Sequence, residues 1–376
     1  MTDAHFDIAI IGAGIAGAST AWALLEAAPH LRVALIEMED RPGYHTTGRS
    51  AAFWVESYGG PKIVPLSRAS RDFFGAPPAG FPPLLSLRPG LTIESPDDPQ
   101  GLERMAAEFD EGAVDYRWLD AAAMAALSAA PMLRPEWRQR GLLEPDCHDI
   151  DVAGLHQGFL RGAGGARPTL ICNAEVERLE RRGGQWQIIT RAGVVQAPVL
   201  VNAAGAWADG LAAMAGARPR GVQPLRRSMA VLRIDPPPPA DLMVVMDAAG
   251  QFYFKPDGGR LWLSPHDETP DVAHDVRPDD LDIATVIDRF ERATTVRVQR
   301  LESSWAGLRS FAPDRAPLFG FDGAVDGLFW CAGQGGFGIQ TAPAAGRLCA
   351  ALILGQTPPL DPAPYAATRV LAALAH

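Results

Sequence analysis

Ile8-Ala-Ile-Ile-Gly12-Ala-Gly14-Ile-Ala-Gly17-Ala-Ser-Thr-Ala-Trp-Ala-Leu-Leu25 opens the chain with a short apolar strand, a glycine-rich turn and then a helix. The next apolar run, Arg32-Val-Ala-Leu-Ile-Glu37, ends in an acid. This order holds a dinucleotide. Gly12 permits the tight turn, Gly14 lets the backbone approach a pyrophosphate, and Gly17 lets the helix pack closely on the strand. Ile15 and Ala16, the first helical residues, present backbone N–H groups to the phosphate charge. Glu37 lies about 20 residues beyond the last glycine, where an acid hydrogen-bonds an adenosine ribose. Its charge disfavours a cofactor with a 2′-phosphate, because two anions would be forced together. The glycine spacing alone would be weak; strand, helix, second strand and terminal acid within one unit make it specific.

Thr2 to Asp7 carries two acids and no Lys or Arg, unlike the basic leader of a secretory signal. No apolar run reaches the roughly 20 residues of a membrane span, because Gly, Pro or charge interrupts each one. A soluble cytoplasmic protein without an integral membrane segment is the expectation. A net charge of −10 disfavours nucleic acid or an anionic membrane as partner. Cys147, Cys172, Cys331 and Cys349 are widely spaced and read as small buried hydrophobes, not as a disulfide framework or zinc site. No metal is expected: Cys147-His148-Asp149 with Asp151 and His156, and likewise His266-Asp267-Glu268, lack helix-face or finger spacing. Lys62 and Lys255 are the two lysines among 34 basic residues, so anion sites must be built from arginine.

At 376 residues the chain exceeds a single core, and two domains sharing a cleft are expected. The fold class is α/β (α+β), a Rossmann-type nucleotide domain interleaved with a substrate domain built on an antiparallel sheet. Residues 1–85, 146–220 and 300–376 are assigned to the first, 86–145 and 221–299 to the second. Asp120 to Ser128 and Asp151 to Arg161 read as short helices, each starting near an Asp able to cap it. Thr169 to Arg178, Trp186 to Thr190 and Val195 to Asn202 read as a small meander that delivers the chain back to the first sheet. From Gln223 to Thr294, strands at Ser228 to Arg233, Met243 to Met246, Gln251 to Lys255 and Arg260 to Ser264 form the second sheet, followed by an amphipathic helix over Asp282 to Ala293. Leu328 to Ala332, a glycine loop and an Ala/Leu helix make a second anion-facing turn.

Pro42-Gly-Tyr-His-Thr-Thr-Gly-Arg-Ser-Ala-Ala52, Val201-Asn-Ala-Ala-Gly-Ala-Trp207, Trp305-Ala-Gly-Leu-Arg309-Ser-Phe and Gln334-Gly-Gly-Phe-Gly-Ile-Gln340-Thr carry a resemblance over nearly the whole chain. In them the protein resembles the flavoprotein superfamily of D-amino acid oxidase, glycine oxidase and sarcosine oxidase, most closely bacterial D-arginine dehydrogenase. The resemblance implies noncovalent FAD. Gly12, Gly14, Ile15, Ala16, Gly17 and Glu37 then hold its ADP half. Arg49, Ser50, Ala51, Ala204, Gly205 and Trp207 lie along it, and Gly335, Gly336, Gly338, Ile339 and Gln340 lie near its isoalloxazine. It also implies oxidative deamination of D-amino acids to 2-oxo acids and ammonia, with hydride passing from the α-carbon to flavin N5. Arg309 matches the cation that grips the substrate carboxylate. Arg226 matches a second substrate-side arginine, with Arg227 on the opposite face of the strand. Tyr253 matches a donor to the carboxylate and Tyr58 a ring over the substrate; Gly336 offers a backbone carbonyl to the amine. No acid–base residue is required if the amine binds neutral near these cations.

Departures from the pattern bear on specificity. Where the relative places a glutamate for a cationic side chain, this chain has Gly90; Phe53 and Val55 replace a histidine and a threonine. The pocket is therefore expected to favour neutral or hydrophobic side chains, with Glu56 able to restore a charge if its loop turned inward. Sarcosine oxidases place a lysine over the flavin on the strand that here reads Arg260 to Ser264; its absence points to a dehydrogenase with a separate electron acceptor. A monomer or weak homo-oligomer is expected. The alternatives are an oxidase or dehydrogenase of N-methyl amino acids, glycine or 2-hydroxy acids, and a noncatalytic flavin-binding module.

Overall fold

Every residue of Ile8–Ile11 is buried, as befits the middle of a parallel sheet covered on both faces. A computed structural model describes residues 4–371; Thr2 and Asp3 of the acidic leader, and 372–376 of the last assigned segment, lie outside the described residues. The first sheet has six strands in the order Thr169–Ile171, Val33–Ile36, Ile8–Ile11, Val199–Asn202, Leu328–Ala332 and Leu318–Phe321. All neighbours are parallel except the last pair. Helices Ile15–Ala27, Gly338–Ile353 and Val152–Leu160 cover one face. The other face packs on helix Ala208–Met214 and a four-stranded sheet of Ala4–His5, Gly193–Ala197, Gln185–Thr190 and Val176–Arg182. Each fully buried Leu, Ile or Val in these layers contributes roughly 1.5–3 kcal/mol.

The stretch expected as one meander strand from Thr169 to Arg178 is divided. Thr169–Ile171 joins the six-stranded sheet and Val176–Arg182 the small one. Asn173, at φ 53°, turns the chain between them in a conformation that asparagine tolerates better than most residues. The expected short helices form as Ala121–Ala125 and Val152–Leu160, with Asp120 accepting from the Ala123 N–H at 2.9 Å and Asp151 from the Gly154 N–H at 2.8 Å.

The large second sheet runs Thr269–Pro270, Gln223–Asp235, Arg260–Ser264, Tyr253–Asp257, Val244–Asp247, Gly90–Ile93, Gly141–Glu144 and Arg117–Leu119, with Arg297–Phe311 also paired to Gln223–Asp235. It departs from an all-antiparallel sheet at one junction, where Gly90–Ile93 and Val244–Asp247 run parallel. These strands come from separate visits of the chain, so no hairpin dictates their direction. The boundary expected between 299 and 300 falls inside Arg297–Phe311. That strand belongs to the large sheet throughout, because it forms a ladder from Gln223↔Phe311 to Asp235↔Arg297.

Two close approaches fix the glycines of the first turn. A Cβ on Gly12, at φ 102°, would stand 2.3 Å from the Ala203 carbonyl oxygen, and one on Gly17 only 2.0 Å from the Gly12 carbonyl oxygen. Neither neighbour is a side chain that can rotate away. Gly17→Ala is therefore expected to cost about 3 kcal/mol or more and to yield protein without bound cofactor. Thermal unfolding and the flavin spectrum of the purified variant check this; a yellow variant with unchanged Tm would refute the packing role.

Candidate functional site

A single continuous cavity of about 1120 Å³ runs from the Gly12 turn to the face of the large sheet. At its nucleotide end stand Gly12, Gly14, Ile15, Ala16 and Glu37. Gly17 lies beneath the turn and acts only through packing. Helix Ile15–Ala27 starts without a side-chain cap from Gly14, and Thr47 of the 3₁₀ turn Thr46–Arg49 accepts the Ile15 N–H at 2.9 Å. Glu37 Oε2 accepts the Ala13 N–H and Oε1 the Glu39 N–H, both at 3.1 Å. Burial pushes its carboxyl up from the ordinary value against those amide hydrogen bonds. A second helix, Gly338–Ile353, begins uncapped at the same cavity. Two helix N-termini at one cavity, the first capped only at Ile15 by Thr47 and with a buried acid beside it, fit the phosphates, the ribose and the electron-rich flavin end of FAD.

Between those ends lie Arg49, Ser50 and Ala51 on one wall and Ala204, Gly205 and Trp207 on another. The Arg49 guanidinium is fully engaged, bonded to Asp275, Tyr44 O, Val276 O and Ala306 O. It ties the turn to the large sheet. Gly335, Gly336, Gly338, Ile339 and Gln340 close the flavin end. The Gln340 side chain faces inward: its Nε2 donates to Ser67 Oγ at 2.8 Å and Val55 O at 3.0 Å, and its Oε1 accepts the Val55 N–H. It holds the Val55–Tyr58 segment against the helix start.

The far end is set by strand register. Antiparallel partners point to the same face, and Leu225 pairs with Arg309, Arg227 with Gly307 and Met229 with Trp305. Tyr253, which pairs with Ser264 and Met246, shares that face. Arg227, Met229, Met246, Tyr253 and Arg309 accordingly line the cavity. The expected phase of the two arginines is thus reversed. Arg226 pairs with Leu308, points to the other side and binds Asp282 at 2.9 Å on helix Asp280–Ala293. Arg227 is the one that enters. The alternation was legible, but its phase needed the register.

Arg309 is 7% exposed. Its Nη1 donates to Tyr58 Oη at 2.9 Å and its Nη2 to Glu268 at 2.7 Å, while its Nε is buried with no partner. An orphaned guanidinium donor in a closed site costs stability unless a ligand accepts from it. A Cβ on Gly336 would stand 2.2 Å from Tyr58 Oη and 2.8 Å from Arg309 Nη1, so a side chain there would push both groups out of place. Burial, then repulsion from Arg309, pushes the Arg227 guanidinium below its ordinary value. His266, held at φ 57° with its ring edge-on to Tyr253, also lines the cavity. Burial and the two arginines drive its pKa down to about 3, so the imidazole is neutral. His266 and Glu268 were weighed in the sequence only as metal ligands, and Thr47 was given no role there, because no local spacing announces their place in this cavity.

Phe53, Val55, Met105, Phe109 and Met246 form a largely apolar side arm, to whose lining helix Gly101–Glu111 also brings the exposed Glu108 and Glu111. Gly90 sends no group into it and packs against Cys147 Sγ and Met246. Glu56 is turned away to Arg68 at 2.6 Å. A different acid lies beneath the arm: Glu144, whose Oε1 accepts from Ser57 Oγ at 2.8 Å. Lys255 stands opposite Trp262 on this same face, brought by the strand beside the one searched for a lysine; its Nζ is 2.6 Å from Asp149 and buried.

Fold and site together define a flavin-dependent oxidoreductase with a nucleotide-binding sheet and a substrate-bearing sheet. The family model for FAD-dependent oxidoreductases of the DAO type matches residues 7–352, and the chain belongs to that family. The HcnC subunit of hydrogen cyanide synthase from Pseudomonas aeruginosa is 28% identical over 97% of this chain and 96% of its own length. Glycine oxidase from Geobacillus kaustophilus is 26% identical over 97% of both chains. Its crystal structure superposes with a TM-score of 0.82 at 23% identity, covering 98% of this chain and 100% of that one. L-α-glycerophosphate oxidase from Mycoplasma pneumoniae, solved with FAD bound, shares the fold with a TM-score of 0.82 at 16% identity over 93% and 95% of the two chains. FAD is the cofactor of this family.

Glu144 gives the site a measurable pH signature. Desolvation raises its pKa to about 7, against the Ser57 hydrogen bond. The protonated folded form is favoured, so its contribution is full below the unfolded value near 4.5 and is lost as pH rises through about 7. Relative to Glu144→Gln, the parent protein is expected to lose roughly 2 to 3 kcal/mol between pH 5 and 8. Parallel stability curves for the two proteins would refute this.

Proposed function

We propose that the protein catalyses oxidative deamination of D-amino acids with neutral or hydrophobic side chains, giving 2-oxo acids and ammonia. The observation that carries this reading is the buried Arg309 with its unpartnered Nε, facing the flavin end beside Tyr253 and Arg227. A planar fork of donors of this kind fits a carboxylate. Tyr253, fully enclosed and with its hydroxyl kept protonated by burial, adds a donor to the same group. The Gly336 backbone, where a Cβ would displace Tyr58 and Arg309, leaves room for the substrate amine. Arg309 and Arg227 favour the uncharged amine, the form whose α-carbon can be oxidised. FAD supplies the two-electron acceptor.

The apolar arm of Phe53, Val55, Met105 and Met246 supports an uncharged side chain. The four segments resembling D-arginine dehydrogenase support the D-enantiomer, and Lys255, already held by Asp149, leaves the reading of a dehydrogenase with a separate acceptor in place. A second reading, oxidation of glycine or an N-methyl amino acid, draws on the similarity to glycine oxidase; glycine would leave the apolar arm unfilled.

Anaerobic mixing with D-amino acids, their L-enantiomers, glycine and sarcosine tests the proposal. Bleaching of the flavin by neutral D-amino acids alone is expected, with slow recovery in air marking a dehydrogenase. Bleaching by glycine or sarcosine alone would favour the second reading, and no bleaching would sink both. Arg309→Met is expected to lower the second-order rate of flavin reduction by at least about 100-fold, from loss of a charge-assisted carboxylate contact.

A further inference from the structure

Glu268 is the carboxylate that stands among the arginines of the site. Its Oε1 lies 2.7 Å from Arg309 Nη2, 2.8 Å from Arg315 Nη2 and 3.7 Å from Arg227 Nη2. A carboxylate gripped by both edges of a guanidinium fork needs two adjacent donors. On Arg309, Nε has no partner, Nη2 donates to Glu268 at 2.7 Å and at 3.5 Å to the Asp267 carbonyl, and Nη1 serves Tyr58. Half of the Nε–Nη2 edge is therefore occupied by the protein's own anion.

The backbone that carries Glu268 is fixed. Asp267 accepts from the Ser228 N–H at 2.7 Å and from Ser228 Oγ at 2.9 Å, and Thr269 pairs with Arg226. Its side chain is 35% exposed and reaches Arg315, itself 42% exposed, on the solvent side of Arg309. We infer that Glu268 holds the substrate carboxylate's place on Arg309 in the empty site and swings onto Arg315 when substrate enters. The inference rests on Arg309 being the carboxylate clamp. Such a place-holder keeps a buried guanidinium from standing unpaired and turns away anions that cannot match a bidentate carboxylate. Glu268 is thus a specificity-determining residue whose removal improves carboxylate binding.

The probe is 4-methylpentanoate, which is leucine without its amine and so binds without reacting, read as a shift in the absorbance of the FAD-loaded protein. Glu268→Gln and Glu268→Ala are expected to bind it roughly tenfold more tightly than the parent, the order of one charge-assisted hydrogen bond. The gain should vanish in the Arg309→Met background. Arg315→Gln, which removes the alternative partner, should weaken binding. Unchanged or weaker binding by both Glu268 variants, with Arg309→Met still defective, would overturn the inference and leave Glu268 as a positioning residue. A gain that persists without Arg309 would overturn it too, marking general attraction of anions. If Arg309→Met binds the probe as the parent does, the clamp reading itself falls, and the place-holder with it.

Discussion

The long antiparallel ladder between Gln223–Asp235 and Arg297–Phe311 is the constraint on which the site depends. Side chains alternate along each strand, so a slip of one residue would exchange every group facing the flavin for one facing helix Asp280–Ala293. In the register observed, Arg227 and Arg309 reach the cavity and Arg226 reaches Asp282. Three arginines close together are mutually repulsive, and each is accommodated by a different acid or carbonyl: Asp282 for Arg226, the Asp267 carbonyl for Arg227, Glu268 for Arg309. The ladder places the charges, and the 265–268 loop makes their burial tolerable.

The same strand pair is stitched to the nucleotide-binding sheet by short polar contacts. Thr46 Oγ1 donates to Leu308 O at 2.6 Å, Trp305 Nε1 to Arg49 O at 2.9 Å, and Arg49 to Ala306 O at 3.2 Å. Thr47, within the same turn, meets the start of helix Ile15–Ala27. The turn Thr46–Arg49 thereby positions helix Ile15–Ala27 and strand Arg297–Phe311 relative to each other. On the opposite wall Gln340 fixes Val55 and Tyr58 to the start of helix Gly338–Ile353. The two walls of the cavity are thus fixed to each other through the same turns that start its two helices.

The side arm combines apolar walls with a carboxyl hidden beneath them. Glu144 answers to Ser57, and burial raises its pKa to about 7, so this carboxyl is uncharged over most of the acidic range. Gly90 contributes no charge there, since Cys147 and Met246 cover it. Glycine oxidase shares the fold at 23% identity. In such a frame the wall residues, not the sheets, decide which side chain is admitted.

The sequence alone determined the nucleotide half of the protein. Strand, glycine turn, helix and terminal acid are contiguous, and their chemistry follows from backbone geometry that local residues enforce, down to the Gly17 position where a methyl group would meet the Gly12 carbonyl. The order of segments around Arg309, Gly205 and Gly336 was readable for the same reason: each is a short stretch with its own local requirement. Only the tertiary structure decided which of Arg226 and Arg227 enters the site, that Thr169–Ile171 leaves the meander for the main sheet, and that His266 and Glu268 gather at the clamp. Those choices depend on contacts between residues about 40 to 135 positions apart, whose register is fixed by burying one face of a sheet against a distant partner. Alternation within a strand carries the period of that pairing but not its phase.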